Sequence, residues 1–348
     1  MIWELAGSAA VAGAISLIIC FVLMRSGPLD APTEQRKVHA RPTPTSGGIG
    51  IGLGYVAGFL ALQQFAEHTT LNPQGAALAA LASMFALGFL IIGFIDDTLH
   101  LGPRIKLLLF TLLSLGAAIT MGVVDALPIY EEQTLRIGLT LGLFGTALWV
   151  FTLVNCANFM DGANGLAMGS MAVGIVALGC IGLAGDANSI LAMSVCAAGA
   201  LIGFLVWNFP GGKIFAGDSG ALFVGAIAAL GSLIAIARAD LSPFIPPILF
   251  MPLLADALLT LAWRVKHRRK LLVGHHEHLY QIAMRAGWSH VRVSLLYWAL
   301  MALCGALGFA LSQSDDPTAA WVSLVAVAGI SLAVSIFVRK YARTHGMS

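Results

Sequence analysis

Long apolar stretches separated by short polar connectors dominate the chain. Leu5–Met24 is an uncharged run of 20 residues, about the length a helix needs to cross the hydrocarbon core of a bilayer. Ten comparable runs follow: Gly47–Phe65, Gly75–Ile95, Leu107–Val124, Ile137–Val154, Gly165–Ala184, Ile190–Phe209, Gly220–Ala237, Pro243–Trp263, Val293–Leu311 and Ala319–Val338. A single formal charge, Asp256, interrupts them. None shows the ten-residue alternation that a transmembrane barrel requires, so the pattern predicts helices. The expectation is an all-α polytopic membrane protein with eleven transmembrane helices, forming one integral-membrane domain over residues 1–348.

Composition agrees with that pattern. Of 348 residues, 58% are hydrophobic and 10% charged, against roughly 25% charged in a soluble domain. The first run begins Met-Ile-Trp-Glu, lacks a basic leader, and reads as a membrane helix rather than a cleavable signal. Cys20, Cys156, Cys180, Cys196 and Cys304 form no Cys-x-x-Cys pair, so neither a disulfide framework nor a thiolate metal site is indicated. A net charge of +2 gives no reason to expect a nucleic-acid partner.

Charge also orients the chain. With an odd number of spans the loops fall into two sets on opposite sides. One set, comprising 25–46, 96–106, 155–164, 210–219, 264–292 and 339–348, carries 17 of the 19 Lys and Arg residues. The positive-inside rule makes that set cytoplasmic, with the N-terminus outside and the C-terminus in the cytoplasm. Eight of the nine histidines lie on the same side. A transporter would gather its polar groups near the midplane, often in repeated halves. Here they stand at helix ends on one face, with no internal repeat, which points to an enzyme at the cytoplasmic surface.

Four segments carry candidate chemistry. Asp96-Asp97 closes the third run, where adjacent carboxylates repel unless a cation offsets them; the alternative is a hydrated helix end. Asn155-x-x-Asn158-x-x-Asp161-Gly162-x-Asn164-Gly165 places four polar side chains in eleven residues without a base. Their oxygens suit Mg²⁺ and their amides suit a nucleobase edge, although an Asn/Asp/Gly turn has the same composition. Gly217-Asp218-Ser219-Gly220 opens the eighth run, where Asp218 fits either a helix cap or a phosphate-linked cation site. His275-His276-Glu277-His278 sits in the most basic loop and can bind a metal or a diphosphate, but lacks the zinc-hydrolase spacing. Arg36-Lys37-x-His39-x-Arg41-Pro42 offers further phosphate-binding groups, and a basic inner loop is also what topology alone would give. Gly50, Gly54 and Gly58 are spaced for close helix packing, and no P-loop is present. Asp256 is predicted to lie about 12 Å inside its helix at ~1.5 Å per residue, facing the bundle interior.

Taken in order, these motifs resemble the polyprenyl-phosphate N-acetylhexosamine-1-phosphate transferases, the WecA/TagO/MraY superfamily of glycosyltransferase family 4. The resemblance runs from Asp30-Ala-Pro32 and Arg36-Lys37-x-His39-x-x-Pro42-Thr-Pro44-x-x-Gly47-Gly48 through Gly93-x-x-Asp96-Asp97, the Asn155–Leu166 segment and Gly217-Asp218-Ser219-Gly220 to the late histidine loop. It implies a bacterial inner-membrane enzyme that transfers an N-acetylated sugar-1-phosphate from a UDP-sugar to polyprenyl phosphate, on the cytoplasmic face. By family position, Asp96, Asp97 and Asp161 would be catalytic. Asp218 and Asn158 would hold Mg²⁺, for which Mn²⁺ could substitute. Lys37, His39, Arg41, Asn155, Asn164, His276 and His278 would bind substrates. A homodimer is compatible with the resemblance. Two departures matter, the first for uracil recognition and the second for the sugar. Asn164 stands where bacterial members usually carry Asp. The His275-x-x-His278-x-Tyr280-Gln281 spacing is closest to the WbpL-type, O-antigen-initiating branch, which also uses N-acetyl-6-deoxyhexosamines, and argues against the peptidoglycan-precursor role. A different prenyl- or alcohol-phosphate transferase is the alternative, but those families space their acids along helices.

Overall fold

A computed structural model describes residues 2–26, 29–30, 43–64, 73–131, 133–271 and 275–345. Lys37, His39 and Arg41 lie outside the described residues. Helices account for most of the described residues: α1 (Ile2–Ser26), α2 (Gly47–Gln64), α3 (Pro73–Leu99), α4 (Pro103–Met121), α5 (Gly138–Phe159), α6 (Leu166–Ala184), α7 (Asn188–Asn208), α8 (Gly217–Arg238), α9 (Ile245–Leu249), α10 (Met251–Lys266), α11 (Leu279–Arg285), α12 (His290–Ser312) and α13 (Pro317–Thr344). Two short antiparallel pairs complete it, β1 (Leu29–Asp30) with β2 (Thr43–Pro44) and β3 (Ala126–Tyr130) with β4 (Gln133–Arg136).

Among the described residues nine helices are long and apolar enough to cross a membrane. Two of the eleven apolar runs fall short, each for a local reason. In α2, six glycines and the terminal Gln63-Gln64 dilute the apolar character. Pro243–Trp263 is not one helix, because it breaks at Phe250 into α9 and α10. Pro252 has no amide hydrogen to donate to the carbonyl of Ile248, so the helical ladder cannot run through.

The bundle is built around α8. Every residue from Ser219 to Ala235 is buried, and a helix apolar on all sides belongs in the interior. Its neighbours are α3, α5, α6, α2 and α7. At the periphery the arrangement inverts. α13 exposes Val325, Ile330, Leu332, Ile336 and Phe337, an apolar surface that suits lipid rather than water. The glycine spacing in α2 does what its pattern predicts. A Cβ on Gly54 would stand 2.6 Å from the Ala12 carbonyl oxygen, and one on Gly58 2.8 Å from that of Ser8, so only glycine lets α2 lie directly on α1.

Candidate active site

The acidic motifs converge at one end of the bundle because α3 ends where α8 begins. The two backbones touch: a Cβ on Gly93 would fall 2.5 Å from Ser219 N and Cα. That approach lets Asp97, in the last turn of α3, accept hydrogen bonds from the backbone amides of Asp218 (2.9 Å) and Ser219 (3.1 Å). The capping carboxylate of α8 therefore comes from a different helix, and Asp218 is the second residue inside α8 rather than its cap. An anion at a helix N-terminus satisfies orphan donors and complements the dipole. The 43–48 segment closes the other flank. Phe215 N–H donates to the Pro44 carbonyl (2.8 Å), while Gly47 and Gly48 donate to Phe215 and Ala216 (2.9 and 2.8 Å).

Freed from capping itself, the Asp218 side chain meets three partners. Lys106 Nζ, one turn into α4, lies 3.2 Å away and also pairs with Asp96. Asp96 and Asn158 stand beside the same carboxylate. Two carboxylates tolerate such contact only with a proton or a cation between them, and the ammonium serves both. Asp96 is buried, and its Oδ1 has no hydrogen-bond partner among the described residues. Lys106 was not singled out by its sequence context. Its signal was a lone lysine one turn into an apolar helix that follows an acid pair.

Asn155 and Asn158 are on a helix, not in a loop, because α5 continues to Phe159. At i and i+3 they share a face. Asn155 turns its amide back to the Phe151 carbonyl (2.7 Å), while Asn158 reaches Asp218. Asp161 follows in the turn. Loss of hydration, reinforced by the negative charges of Asp218 and Asp97, pushes its carboxyl up to about 7.

Asn164 is fastened by residues from far along the chain. Its backbone amide donates to His290 Nδ1 (3.1 Å), its carbonyl accepts from Ser294 (2.7 Å), and its side-chain amide donates to the Pro210 carbonyl (3.0 Å). Asn208 accepts from Gly165 N–H (2.6 Å), and Trp298 Nε1 donates to the Gly165 carbonyl (2.8 Å). None of these supports was readable from sequence, since each is an isolated polar residue in or beside an apolar run.

The histidine loop shares a wall with this turn. The His278 ring lies 6.3 Å from that of Phe159, and Tyr280 packs so closely on Gly162 that a Cβ there would meet its hydroxyl. His276 is half-buried beside it. Glu277 pairs with Arg264 and Arg269, tying the loop to the end of α10. Asp256 is fully buried and does not stand in the acidic cluster; it accepts from the amides of Leu279 (2.7 Å) and Tyr280 (3.1 Å) and from the Tyr297 hydroxyl (2.5 Å).

A divalent cation has a partial cradle here. Among the described residues no three His, Cys, Asp or Glu side chains are gathered to hold a metal on their own. Mg²⁺, however, is commonly held by one or two carboxylates together with substrate phosphates. Asp218 with Asn158 beside it, in a carboxylate-rich setting where Asp96 Oδ1 lacks a partner, fits that donor set.

The fold and this site define a class: a polytopic membrane protein with hard-oxygen, ammonium and imidazole groups at one end of its bundle. Comparison with known proteins refines it. A family profile described as Glycosyl transferase family 4 matches residues 79–236, which include Asp96, Asp97, Lys106, Asn158, Asp161 and Asp218. The chain is 30% identical over 345 residues to the decaprenyl-phosphate N-acetylglucosaminephosphotransferase of Mycobacterium tuberculosis, covering 90% of this chain and 84% of the relative. It is 28% identical over 289 residues (81% and 76%) to a probable undecaprenyl-phosphate N-acetylglucosaminyl 1-phosphate transferase of Bacillus subtilis. It is also 28% identical over 328 residues (82% and 87%) to the phospho-N-acetylmuramoyl-pentapeptide-transferase of Mycobacterium avium. The chain belongs to glycosyl transferase family 4.

Proposed function

We propose that this protein transfers an N-acetylated sugar-1-phosphate from a UDP-sugar to polyprenyl phosphate, making a polyprenyl diphosphate sugar and UMP. The observation that carries the reading is the joining of Asp96, Asp218, Asn158 and Lys106 into one contact set, capped by Asp97 and walled by the histidine loop. Phosphoryl transfer asks mainly for positioning and charge neutralisation, which such a set supplies. An oxygen of the lipid phosphate attacks the sugar-bearing phosphorus; the bond to the UMP oxygen breaks, and UMP leaves with the electron pair.

Asp218 and Asn158 are the residues that would hold Mg²⁺. When bound, that ion neutralises the diphosphate and its departing oxygen. Asp97 has both oxygens engaged by α8 amides, so its part is to hold Asp218 in place. Asp96 is then the carboxylate of the pair that orients the acceptor phosphate and takes up its proton where one is present. Lys106 balances the acids and offers a positive charge to the phosphates. Asn164 reads the uracil edge, and His276 and His278 meet the donor's phosphates or amido group. Lys37, His39 and Arg41 add phosphate contacts from the first loop.

The reading includes one membrane domain over residues 1–348, with eleven spans counting α2 and the broken α9–α10 pair, in the bacterial inner membrane with the site on the cytoplasmic face. The His275-x-x-His278 spacing favours an N-acetylhexosamine or N-acetyl-6-deoxyhexosamine donor and an initiating role in O-antigen-like polysaccharide synthesis. The deciding assay incubates the purified protein with undecaprenyl phosphate, Mg²⁺ and a panel of UDP-sugars. Mass spectrometry should find an undecaprenyl diphosphate sugar and UMP in equal amounts; formation of neither with any N-acetylated donor overturns the proposal. Orientation is checked with cysteines at Ser289 and Ser314, both exposed. An impermeant thiol reagent applied to intact cells lacking the native cysteines should label only the Ser314 position.

A further inference from the structure

Asp256 stands apart from the acidic cluster, and its surroundings are built around it. It lies ten residues before the end of α10, about 15 Å deep at ~1.5 Å per residue. At that depth a carboxylate with no partner would be costly. Here it receives four hydrogen bonds: Leu279 N–H (2.7 Å) and Thr260 Oγ1–H (3.3 Å) to Oδ1, and Tyr280 N–H (3.1 Å) and the Tyr297 hydroxyl (2.5 Å) to Oδ2. His278 Nδ1 stands 3.4 Å from Oδ1, within ion-pair reach but without a formed hydrogen bond. Behind Thr260, Arg339 of α13 donates from Nη2 to the threonine hydroxyl (2.6 Å). The loop carrying the histidines therefore folds back into the bundle to reach a fixed anion.

That geometry does more than hold a turn. The two amides belong to the first residues of α11, and the residue preceding them is His278. A carboxylate facing Nδ1 favours the tautomer that carries a proton there, leaving Nε2 to accept a hydrogen bond from a ligand. The ring's remaining freedom is limited by His275 (5.0 Å), Tyr280 (5.8 Å) and Phe159 (6.3 Å). A scaffold acid would need only the amide and hydroxyl contacts; the approach to the ring is what a positioning residue adds.

We infer that Asp256 is the positioning residue of this site, fixing the tautomer and direction of the His278 ring so that Nε2 accepts a hydrogen bond from the amido N–H of the donor sugar, with Tyr297 and the Arg339–Thr260 pair holding its own carboxylate still. The inference rests on the transferase reading above for what His278 contacts, but not for the Asp256–His278 geometry itself.

Two measurements on the full-length protein in detergent test it. In the first, steady-state kinetics compare Asp256→Asn, His278→Gln and the double variant. Misplacing a reacting-site group costs on the order of 10²-fold, so Asp256→Asn should lower kcat by about that factor with the UDP-sugar KM within about threefold. Groups that act as a unit are non-additive, so the double variant should be no slower than the slower single variant within about threefold. Multiplying losses would mean that Asp256 does not act through His278. Where Asp256→Asn is too unstable to purify, Tyr297→Phe replaces it in the cycle, with a smaller loss that should likewise vanish beside His278→Gln. In the second measurement, ¹⁵N spectra of the imidazoles assign the His278 tautomer by difference from His278→Gln. Protonation at Nδ1 in the wild type, moving to Nε2 in Asp256→Asn or weakening in Tyr297→Phe, is the expected result. An Nε2–H tautomer in the wild type overturns the inference whether or not sugar phosphate is transferred, whereas a wild type with the expected tautomer and no transfer to lipid overturns only the transferase reading.

Discussion

Asp97 and Asp256 perform the same backbone task in surroundings of opposite sign. Each leaves its own helix to accept two consecutive amides at the start of another: Asp218 and Ser219 for α8, Leu279 and Tyr280 for α11. Around Asp97 stand Asp96, Asp161 and Asp218, with the ammonium of Lys106 between two of them. Around Asp256 stand the His278 ring and, through Thr260, Arg339. The first cap concentrates negative charge on a rigid central helix, which is what a cation requires. The second places an imidazole on a seven-residue helix, which has too few turns to be stable alone and takes its position from what it is bonded to. On the reading proposed above, the site has one pole for a metal and one for the donor sugar, each set by an acid that need not touch substrate.

If the acidic pole is built for a cation, its largest sensitivity is at Asp218. Asp218→Asn keeps the shape and removes the charge, and should lower turnover by at least about 10²-fold in the detergent-purified, folded protein. Wild-type turnover in that variant would remove Asp218 from the cation site. The two acids of α3 should separate next. Asp97→Ala leaves two α8 amides without an acceptor, at a cost of about 1–3 kcal/mol, and should lower both the thermal midpoint and turnover. Asp96→Asn should lower turnover while leaving the UDP-sugar KM and the thermal midpoint close to wild type. Identical profiles for the two variants would erase the distinction between capping and acceptor-orienting acids.

Asn164→Ala probes a contact outside both poles. Loss of one hydrogen bond worth roughly 1–3 kcal/mol corresponds to about 5- to 150-fold, and it should appear chiefly as a raised UDP-sugar KM. A collapse of turnover at unchanged KM would move Asn164 to the metal. The smallest effect is expected at Thr260→Val, which cuts the link from Arg339 to Asp256 but leaves the two amides, Tyr297 and His278 in place. A loss of about 1 kcal/mol, roughly fivefold in kcat, is anticipated; a loss as large as that of Asp256→Asn would show that the second cap depends on α13 rather than on Asp256 itself.

Sequence alone determined the class of architecture, because a bilayer admits few solutions for uncharged runs of about 20 residues. It also determined which residues to suspect at the acidic pole: adjacent acids at a helix end, an Asn-x-x-Asn-x-x-Asp spacing and a Gly-Asp-Ser-Gly turn are local patterns that apolar composition does not produce. It did not reveal the break at Phe250, although Pro246, Pro247 and Pro252 were visible, since a proline-bearing apolar run reads as a span until its backbone is followed. Nor could it show what each acid faces. Asp97 looked like the twin of Asp96 and turned out to be bonded to amides 121 and 122 positions away. Asp256 was expected to face the bundle interior, and it does, but its meeting with His278 was not visible. Lys106, Tyr297 and His290 gave no signal, because a single polar residue beside an apolar stretch acquires meaning only from what packs against it. Tertiary structure decided those pairings, and the reason is physical: in a low-dielectric bundle a polar group must find its partner wherever helix packing brings one, and sequence separation does not enter that requirement.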